Sequence, residues 1–323
     1  MTDEPLLSVE GLSVGFNTEQ GRVRVVDEVS FSIGSGETLG LVGESGCGKS
    51  VTAQSIMRLL PSPPSFIESG SIVFEGQDLV SLPENRMRKV RGDKIGMVFQ
   101  EPMTSLNPTQ RIGRQIAESL SLHRGLDYSE AQPLVIEALK KVGIGNAERR
   151  LDQYPHELSG GLRQRVMIAM AIVCGPKLLI ADEPTTALDV TIQAQIMELL
   201  QSLQKDLGLS ILLITHDLGI VAEMCQNMIV MYAGRIIESG PAAKIFRRPM
   251  HPYTDGLIRS SPRRTEKGAH LFSIPGLVPS PGRRGRGCNF AERCPRVMEK
   301  CRAEVPFLAP ATGHAFACWN PMP

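Results

Sequence analysis

Residues 43–50 read Gly-Glu-Ser-Gly-Cys-Gly-Lys-Ser, the spacing G-x-x-x-x-G-K-[ST] without a deviation. No other stretch of the chain limits its fold so narrowly. Gly43, Gly46 and Gly48 let the backbone curl and turn its N–H groups inward, which makes a concave site for an anion. At that spacing Lys49 can reach the β- and γ-phosphates of a nucleotide, and the Ser50 hydroxyl can hold Mg²⁺. Glu44, Ser45, Cys47 and Val51 complete the candidate nucleotide-binding run. The flanks agree with this reading. Thr38-Leu39-Gly40-Leu41-Val42 is a short apolar run that predicts a buried strand, and Ser50 to Met57 predicts a helix whose N-terminus faces the phosphates.

The 323 residues suit one large domain with an appendage, or two modest domains, and 42% hydrophobic content is ample for a core. A net charge of +1 argues against a chain built to coat nucleic acid. No apolar run is long enough to span a bilayer, and Met1-Thr2-Asp3-Glu4-Pro5 lacks the basic start and apolar middle of a signal peptide, so a cytoplasmic chain is expected. The charge is uneven. Residues 262–323 carry ten Lys and Arg against four Asp and Glu, while the remainder carries 25 against 30. The tail is also proline-rich and holds four of the seven cysteines, which places a boundary near Pro262. Its basic charge reads either as a solvated surface or as a means of docking on the acidic remainder of this or of a second subunit.

Short β-type runs, Leu6 to Leu12 and Val23 to Ile33, with another at Gly70 to Phe74, predict an antiparallel flap of sheet beside the glycine-rich loop. Lys94 to Gln100 predicts a strand ending in a polar side chain. Residues 101–158, including Pro133 to Val142, lack strong β-type runs and predict a mostly helical insertion. Leu162 to Val173 is apolar at helical spacing. Leu178 to Ala181, Ser210 to Thr215 and Met228 to Tyr232 predict buried strands, and Val190 to Leu207 predicts a helix between two of them. Strands alternating with helices imply an α/β fold whose parallel sheet is covered on both faces.

Three further constellations carry chemistry. Leu178-Leu179-Ile180-Ala181-Asp182-Glu183 is an apolar run ending in two acids, and acids at the carboxyl end of a buried strand point into a ligand crevice. Asp182 can serve Mg²⁺ and Glu183 can polarise the attacking water. Leu158-Ser159-Gly160-Gly161-Leu162-Arg163-Gln164 offers a helix N-terminus with a hydroxyl and bare amides. Taken alone it is a turn with an N-cap. Taken with residues 43–50 and 178–183, it resembles the signature of ATP-binding cassette (ABC) ATPases. The resemblance covers about residues 6–260 and assigns further roles. Gln100 matches the Q-loop glutamine, which senses Mg²⁺ and the transmembrane partner; Ala187-Leu188-Asp189 matches the D-loop, with Asp189 its acid; His216 matches the switch histidine at the γ-phosphate; Phe16 is the candidate for stacking on adenine. The resemblance implies a P-loop NTPase cassette over residues 1–261, with a parallel sheet and helices, an antiparallel β subdomain and a helical subdomain over about 101–165. It also implies that Ser159, Gly160 and Gly161 of one subunit close over the ATP of another in a head-to-tail dimer.

Glu101-Pro102-Met103-Thr104-Ser105-Leu106-Asn107-Pro108, Tyr154-Pro155-His156-Glu157 and His251-Pro252-Tyr253-Thr254 resemble the cassette subunits of bacterial dipeptide and oligopeptide importers. This implies an ATPase subunit on the cytoplasmic face of the membrane that works with two permease subunits, a second and different cassette chain, and indirectly a solute-binding protein. A cassette importing nickel or another small solute is the alternative. A nucleic-acid or ribosome-associated ABC ATPase is disfavoured by the single cassette, the lack of a coiled-coil insertion and the near-neutral charge.

Cys288, Cys294, Cys301 and Cys318, spaced C-x5-C-x6-C-x16-C, lie in a segment too short and too proline-rich to bury a good core alone, which predicts a staple. Four thiolates suit tetrahedral Zn²⁺ or a four-iron cluster, and the lack of paired C-x2-C weakens zinc. The segment (262–323) resembles the C-terminal extension of peptide-importer cassettes, which implies a [4Fe–4S] cluster; zinc and free thiols stay open. Cys174 and Cys225 read as small buried hydrophobes.

Overall fold

The computed structural model describes residues 4–19, 21–186, 188–261, 272–310 and 313–323. The boundary expected near Pro262 lies outside the described residues. The chain forms two compact units, one of Met1–Gly34, Thr38–Ser81 and Ile214–Pro323, the other of Ser35–Glu37 and Leu82–Leu213. Among the described residues no helix is long and apolar enough to cross a membrane.

The first unit contains the predicted antiparallel flap, in the order Gly21–Ile33, Leu7–Thr18, Ser65–Phe74, Gln77–Asp78. Leu7 stands opposite Ile33 on one side and Phe74 on the other. Leu7, Val9, Leu12, Val14, Val26, Val29, Ile33, Ile72 and Phe74 are buried, so one face of the flap packs as core. The flap is longer than expected. Ser65–Phe74 starts five residues before Gly70, because Phe66 and Ile67 pair with Gly15 and Val14. Gly70 has φ 95°, and a Cβ there would press on the Gly11 backbone at 2.6 Å. A glycine therefore sits where the strand bends, not where it begins.

In the same unit, Thr38–Val42 runs parallel to Asn227–Tyr232, which pairs antiparallel with Arg235–Pro241. All five residues of Thr38–Val42 are buried. The C-terminal segment continues this sheet: Ala315–Phe316 pairs with Glu238 and Ser239, and Ala309–Pro310 pairs with Ala315–Phe316. Arg235–Pro241 contains a fully buried acid. Glu238 accepts hydrogen bonds from the backbone N–H of Met250 at 2.7 Å and of His251 at 2.9 Å, and lies 2.8 Å from His314 Nε2. Burial of a carboxylate is tolerated when its lone pairs are filled in this way.

In the second unit the strand order is Ser210–Thr215, Leu178–Asp182, Ile95–Val98, and the first of these straddles the unit boundary. Ile95–Val98 and Leu178–Asp182 are parallel, and both are buried along their whole length, as the continuous apolar runs require. The insertion is helical as expected: Ile112–Arg124, Tyr128–Lys141 and Gly160–Ile172 pack on one another, with short helical turns at Pro102–Ser105, Ala147–Arg150 and Pro155–Glu157. Asp127 starts Tyr128–Lys141 with a reciprocal cap, its side chain accepting from the Glu130 N–H while the Glu130 carboxylate accepts from its own N–H. Val190–Leu207 is a helix over the predicted residues, buried along Ile196, Leu199, Leu200 and Leu203.

Candidate functional site

In the first unit the strand Thr38–Val42 ends at Gly43, and the chain turns through residues 43–48 into the helix Lys49–Ile56. Glycine is required at two of these positions. Gly43 has φ 154°, and a Cβ there would collide with the Met231 carbonyl oxygen; Gly48 has φ 109° and lies against the Met231 methyl group. Gly46 and Ser45 are exposed. The Lys49 side chain is buried and folds back into the loop. Its Nζ donates to the carbonyl oxygens of Gly43 at 2.8 Å and Glu44 at 3.1 Å, and lies 3.9 Å from Cys47 Sγ. Cys47 is fully buried, and burial raises its thiol above the ordinary range, so it remains neutral. Ser50 and Val51 are half-buried at the start of the helix.

Two more candidates belong to this unit. His216 is exposed, just past the strand Ser210–Thr215 and ahead of the helix Leu218–Met224. Asp217 fixes that junction, accepting from the N–H of Gly219 at 2.7 Å while its own N–H donates to Thr215 Oγ1 at 3.0 Å. Phe16 is half-buried on Leu7–Thr18, opposite Val23 and Ser65, unlike the fully buried Leu12 and Val14 of the same strand.

The second unit brings Gln100 and Glu183 together. Gln100 Nε2 donates to Glu183 Oε2 at 3.3 Å, and Thr186 Oγ1 donates to the same oxygen at 2.8 Å. Glu183 has φ 47°, a left-handed backbone that costs a non-glycine residue ~1 kcal/mol or more. Asp182, the last residue of Leu178–Asp182, is buried. Thr186, which holds the Glu183 carboxylate, was not expected; its place three residues past the acid gave the only signal.

The same unit carries the Ser159 segment. Ser159 is the N-cap of Gly160–Ile172, its Oγ accepting from the Leu162 N–H at 3.4 Å. The helix begins earlier than Leu162, because the cap draws both glycines into its first turn. Ser159 and Gly160 are exposed. A Cβ on Gly161 would stand 2.9 Å from Ile192 Cγ2, so the next helix approaches closely there. Asp189 is exposed and caps Val190–Leu207, accepting from the Ile192 N–H at 3.0 Å. Ala187, the first residue of the D-loop match, lies outside the described residues.

The C-terminal segment is part of the first unit and packs into it. Phe290 is buried edge-on against Tyr232 and Tyr253, with ring centroids 5.2 and 5.4 Å apart. Arg284 donates to the carbonyl oxygens of Arg24 at 2.8 Å and Val25 at 3.0 Å, and Arg293 donates to the Glu44 carboxylate. Of these two tail cations Arg293 meets an acid, whereas Arg284 meets backbone carbonyl oxygens.

None of the four tail cysteines is in a disulfide. Cys288 donates its N–H to the Cys301 carbonyl oxygen at 2.7 Å. Burial raises Cys288, Cys294 and Cys318, with the other cysteines adding to the effect. Among the described residues no group of three or more His, Cys, Asp or Glu side chains is arranged to hold a metal ion. The expected [4Fe–4S] cluster, and Zn²⁺ as its alternative, therefore find no support here. The segment is also tied into the core and sheet of the first unit, through Phe290 against Tyr232 and through Ala315–Phe316 against Glu238 and Ser239.

A glycine loop between a buried strand and a helix, with strand-end acids and an exposed capped Ser-Gly-Gly, defines the class of phosphate-loop nucleoside triphosphatases with a cassette signature. The comparisons narrow that class. The family model "ABC transporter" matches residues 26–186, and "Oligopeptide/dipeptide transporter, C-terminal region" matches residues 237–301. A protein of Brucella ovis described as a peptide import ATP-binding protein is 54% identical over 325 residues, covering 97% of this chain and 96% of the relative. A peptide ABC transporter ATP-binding protein of Sinorhizobium fredii is 52% identical over 317 residues, covering 98% and 95%. A dimeric ATP-binding cassette solved after hydrolysis with ADP and Pi superposes with a TM-score of 0.65 at 26% identity, over 73% of this chain and 98% of that one. A component of an ABC transporter complex from Clostridium perfringens gives 0.64 at 33% identity, over 76% and 91%. The chain belongs to the ABC transporter family, among the ATP-binding proteins that carry the oligopeptide/dipeptide C-terminal region. Its activity is ATP hydrolysis, and its place is with permease components.

Proposed function

We propose that this chain powers the import of di- and oligopeptides through a membrane permease. The observation that carries the reading is the continuous likeness to peptide import ATP-binding proteins over 97% of the chain, C-terminal region included. The nucleotide roles follow. The N–H groups of residues 43–48 and the Lys49 ammonium hold the phosphates, with Lys49 exchanging its carbonyl partners for phosphate oxygens. Phe16 presents a ring face to the adenine. Ser50, Gln100 and Asp182 supply oxygen donors only, a set that suits Mg²⁺, which would neutralise charge on the phosphates. Glu183, steadied by Gln100 and Thr186, polarises water, and His216 faces the γ-phosphate. Ser159, Gly160 and Gly161, exposed at a helix N-terminus, serve the ATP held by a second cassette chain, with Asp189 at the same junction. A different cassette chain is the better partner, with two permease subunits and a solute-binding protein completing the importer on the cytoplasmic face of the membrane.

The test is reconstitution of the importer in vesicles with its binding protein. Peptide-loaded binding protein should stimulate ATP hydrolysis and drive peptide uptake, and Lys49→Ala in this chain should abolish uptake. Stimulation by a nickel-loaded or other non-peptide binding protein, with none by peptide, would overturn the substrate assignment.

A further inference from the structure

One buried cation from the C-terminal segment reaches the glycine-rich loop. The Arg293 side chain is 6% exposed, and its guanidinium forks onto the Glu44 carboxylate, Nη1 donating to Oε2 at 2.6 Å and Nη2 to Oε1 at 3.0 Å. The other donors are also used: Nε meets the Pro275 carbonyl oxygen at 2.8 Å, Nη2 meets that of Ile274 at 3.2 Å, and Nη1 lies 3.4 Å from Tyr232 Oη. Such a two-point, charge-assisted contact fixes direction as well as distance.

Glu44 is the second residue of the loop, and it is held at three places. Its carboxylate is held by Arg293, its N–H donates to Tyr253 Oη at 2.8 Å, and its carbonyl oxygen accepts from Lys49 Nζ at 3.1 Å. Tyr253 and Tyr232 form one packed wall with Phe290 and with His251, whose ring centroid lies 5.7 Å from that of Phe290. The wall is buried and packed on all four rings, while a loop with glycine at 43, 46 and 48 has much freedom to lose on gripping a phosphate. A carboxylate within the loop, fastened to the wall, removes that freedom before nucleotide arrives.

We propose that Arg293 is a positioning residue for the phosphate loop: through its fork on Glu44, the C-terminal segment preorganises residues 43–49 for nucleotide. This rests on the proposed reading that the loop holds the phosphates. A mere fastener of the tail would have a different signature. Breaking a fastener lowers thermal stability and leaves nucleotide affinity alone, whereas losing a positioning contact shrinks the competent fraction of loop conformations and raises the apparent Kd in proportion.

The experiment is calorimetric titration of the purified full-length chain with Mg²⁺ and a non-hydrolysable ATP analogue, with thermal midpoints recorded alongside. Arg293→Gln and Glu44→Gln should each raise Kd about tenfold. The double variant should be no weaker than the worse single, because both changes break one contact. Arg293→Lys, which keeps the charge and loses the fork, should fall between, and it carries the test if the glutamine variants do not fold. Kd values within about twofold of wild type in the folded variants would overturn the proposal, whatever the midpoints do. Lys49→Ala separates the two levels: loss of binding there with unchanged Arg293 and Glu44 variants sinks the positioning role alone, while undiminished binding by Lys49→Ala sinks the site reading and the positioning role with it.

Discussion

Glu183 combines a left-handed backbone at φ 47° with a carboxylate oxygen held by both Thr186 and Gln100. That oxygen is aimed, and its partners do not depend on its charge. Glu183→Gln keeps the shape and an acceptor oxygen for Thr186, but an amide cannot polarise water. Hydrolysis in the assembled transporter should fall by at least about a hundredfold. Affinity of the chain for nucleotide should stay within about twofold, because the phosphates are assigned to Lys49 and the loop amides. Turnover near that of wild type would remove Glu183 from the chemistry. A second residue sets a pH dependence. His251 caps Pro252–Ser260 by accepting the Tyr253 N–H at Nδ1, 3.0 Å away, and burial pushes its pKa from 6.5 down to about 3. Below pH 6.5 the unfolded chain takes up a proton that the folded chain refuses, so stability falls as pH falls from 6.5 toward 3. Acidification from pH 7 to pH 5 should cost ~2 kcal/mol through this one group. His251→Asn retains a capping acceptor without a titrating ring, and its loss of thermal midpoint between those pH values should be smaller than that of wild type. Equal losses would mean that the ring is not held neutral.

The elements readable from sequence are those whose partners need not be known. Thr38–Val42, Ser210–Thr215 and Val190–Leu207 follow from continuous apolar runs or from 3.6-residue periodicity, and they occur where the sequence places them. Arg235–Pro241 did not stand out, because its Glu238 interrupts the apolar pattern and is made tolerable by Met250, His251 and His314, none of them local. The site divides in the same way. The loop at 43–50 and the acids at 182 and 183 are short and contiguous, whereas Glu44 and Arg293 are 249 residues apart and nothing near either announces the other. The C-terminal segment makes the same point: its isolated composition argues for a metal staple, while its Phe290 packs against Tyr232 and Tyr253, residues far from it in sequence. Phe290 is 2% exposed against Tyr232 and Tyr253, so Phe290→Ala should cost ~3–5 kcal/mol and leave the thermal midpoint clearly lower. Limited proteolysis should then cut first within residues 281–310. A variant as stable and as resistant as wild type would mean that the segment does not rest on this aromatic contact.

At the scale of the whole molecule, the proposed pairing with a second cassette assigns the Ser159 hydroxyl to a nucleotide this chain does not bind. Ser159 suits such a test because its local role is small. It is exposed, and its cap bond to the Leu162 N–H is long at 3.4 Å, while the helix behind it is anchored by buried Val166, Ile168, Ala169 and Ile172. Ser159→Arg should therefore cost this chain only about 1 kcal/mol of stability, yet place a bulky cation where the partner's ATP must close. The two composite sites can be separated by silencing one at a time. With Lys49→Ala in this chain, the remaining hydrolysis belongs to the partner's nucleotide, and adding Ser159→Arg should reduce it by about a hundredfold. With the equivalent lysine silenced in the partner, the remaining hydrolysis belongs to the nucleotide on this chain's own loop, and Ser159→Arg should leave it within about twofold. The reverse pattern, with the loss confined to this chain's own nucleotide, would refute head-to-tail pairing and require Ser159 to act within the chain that carries it.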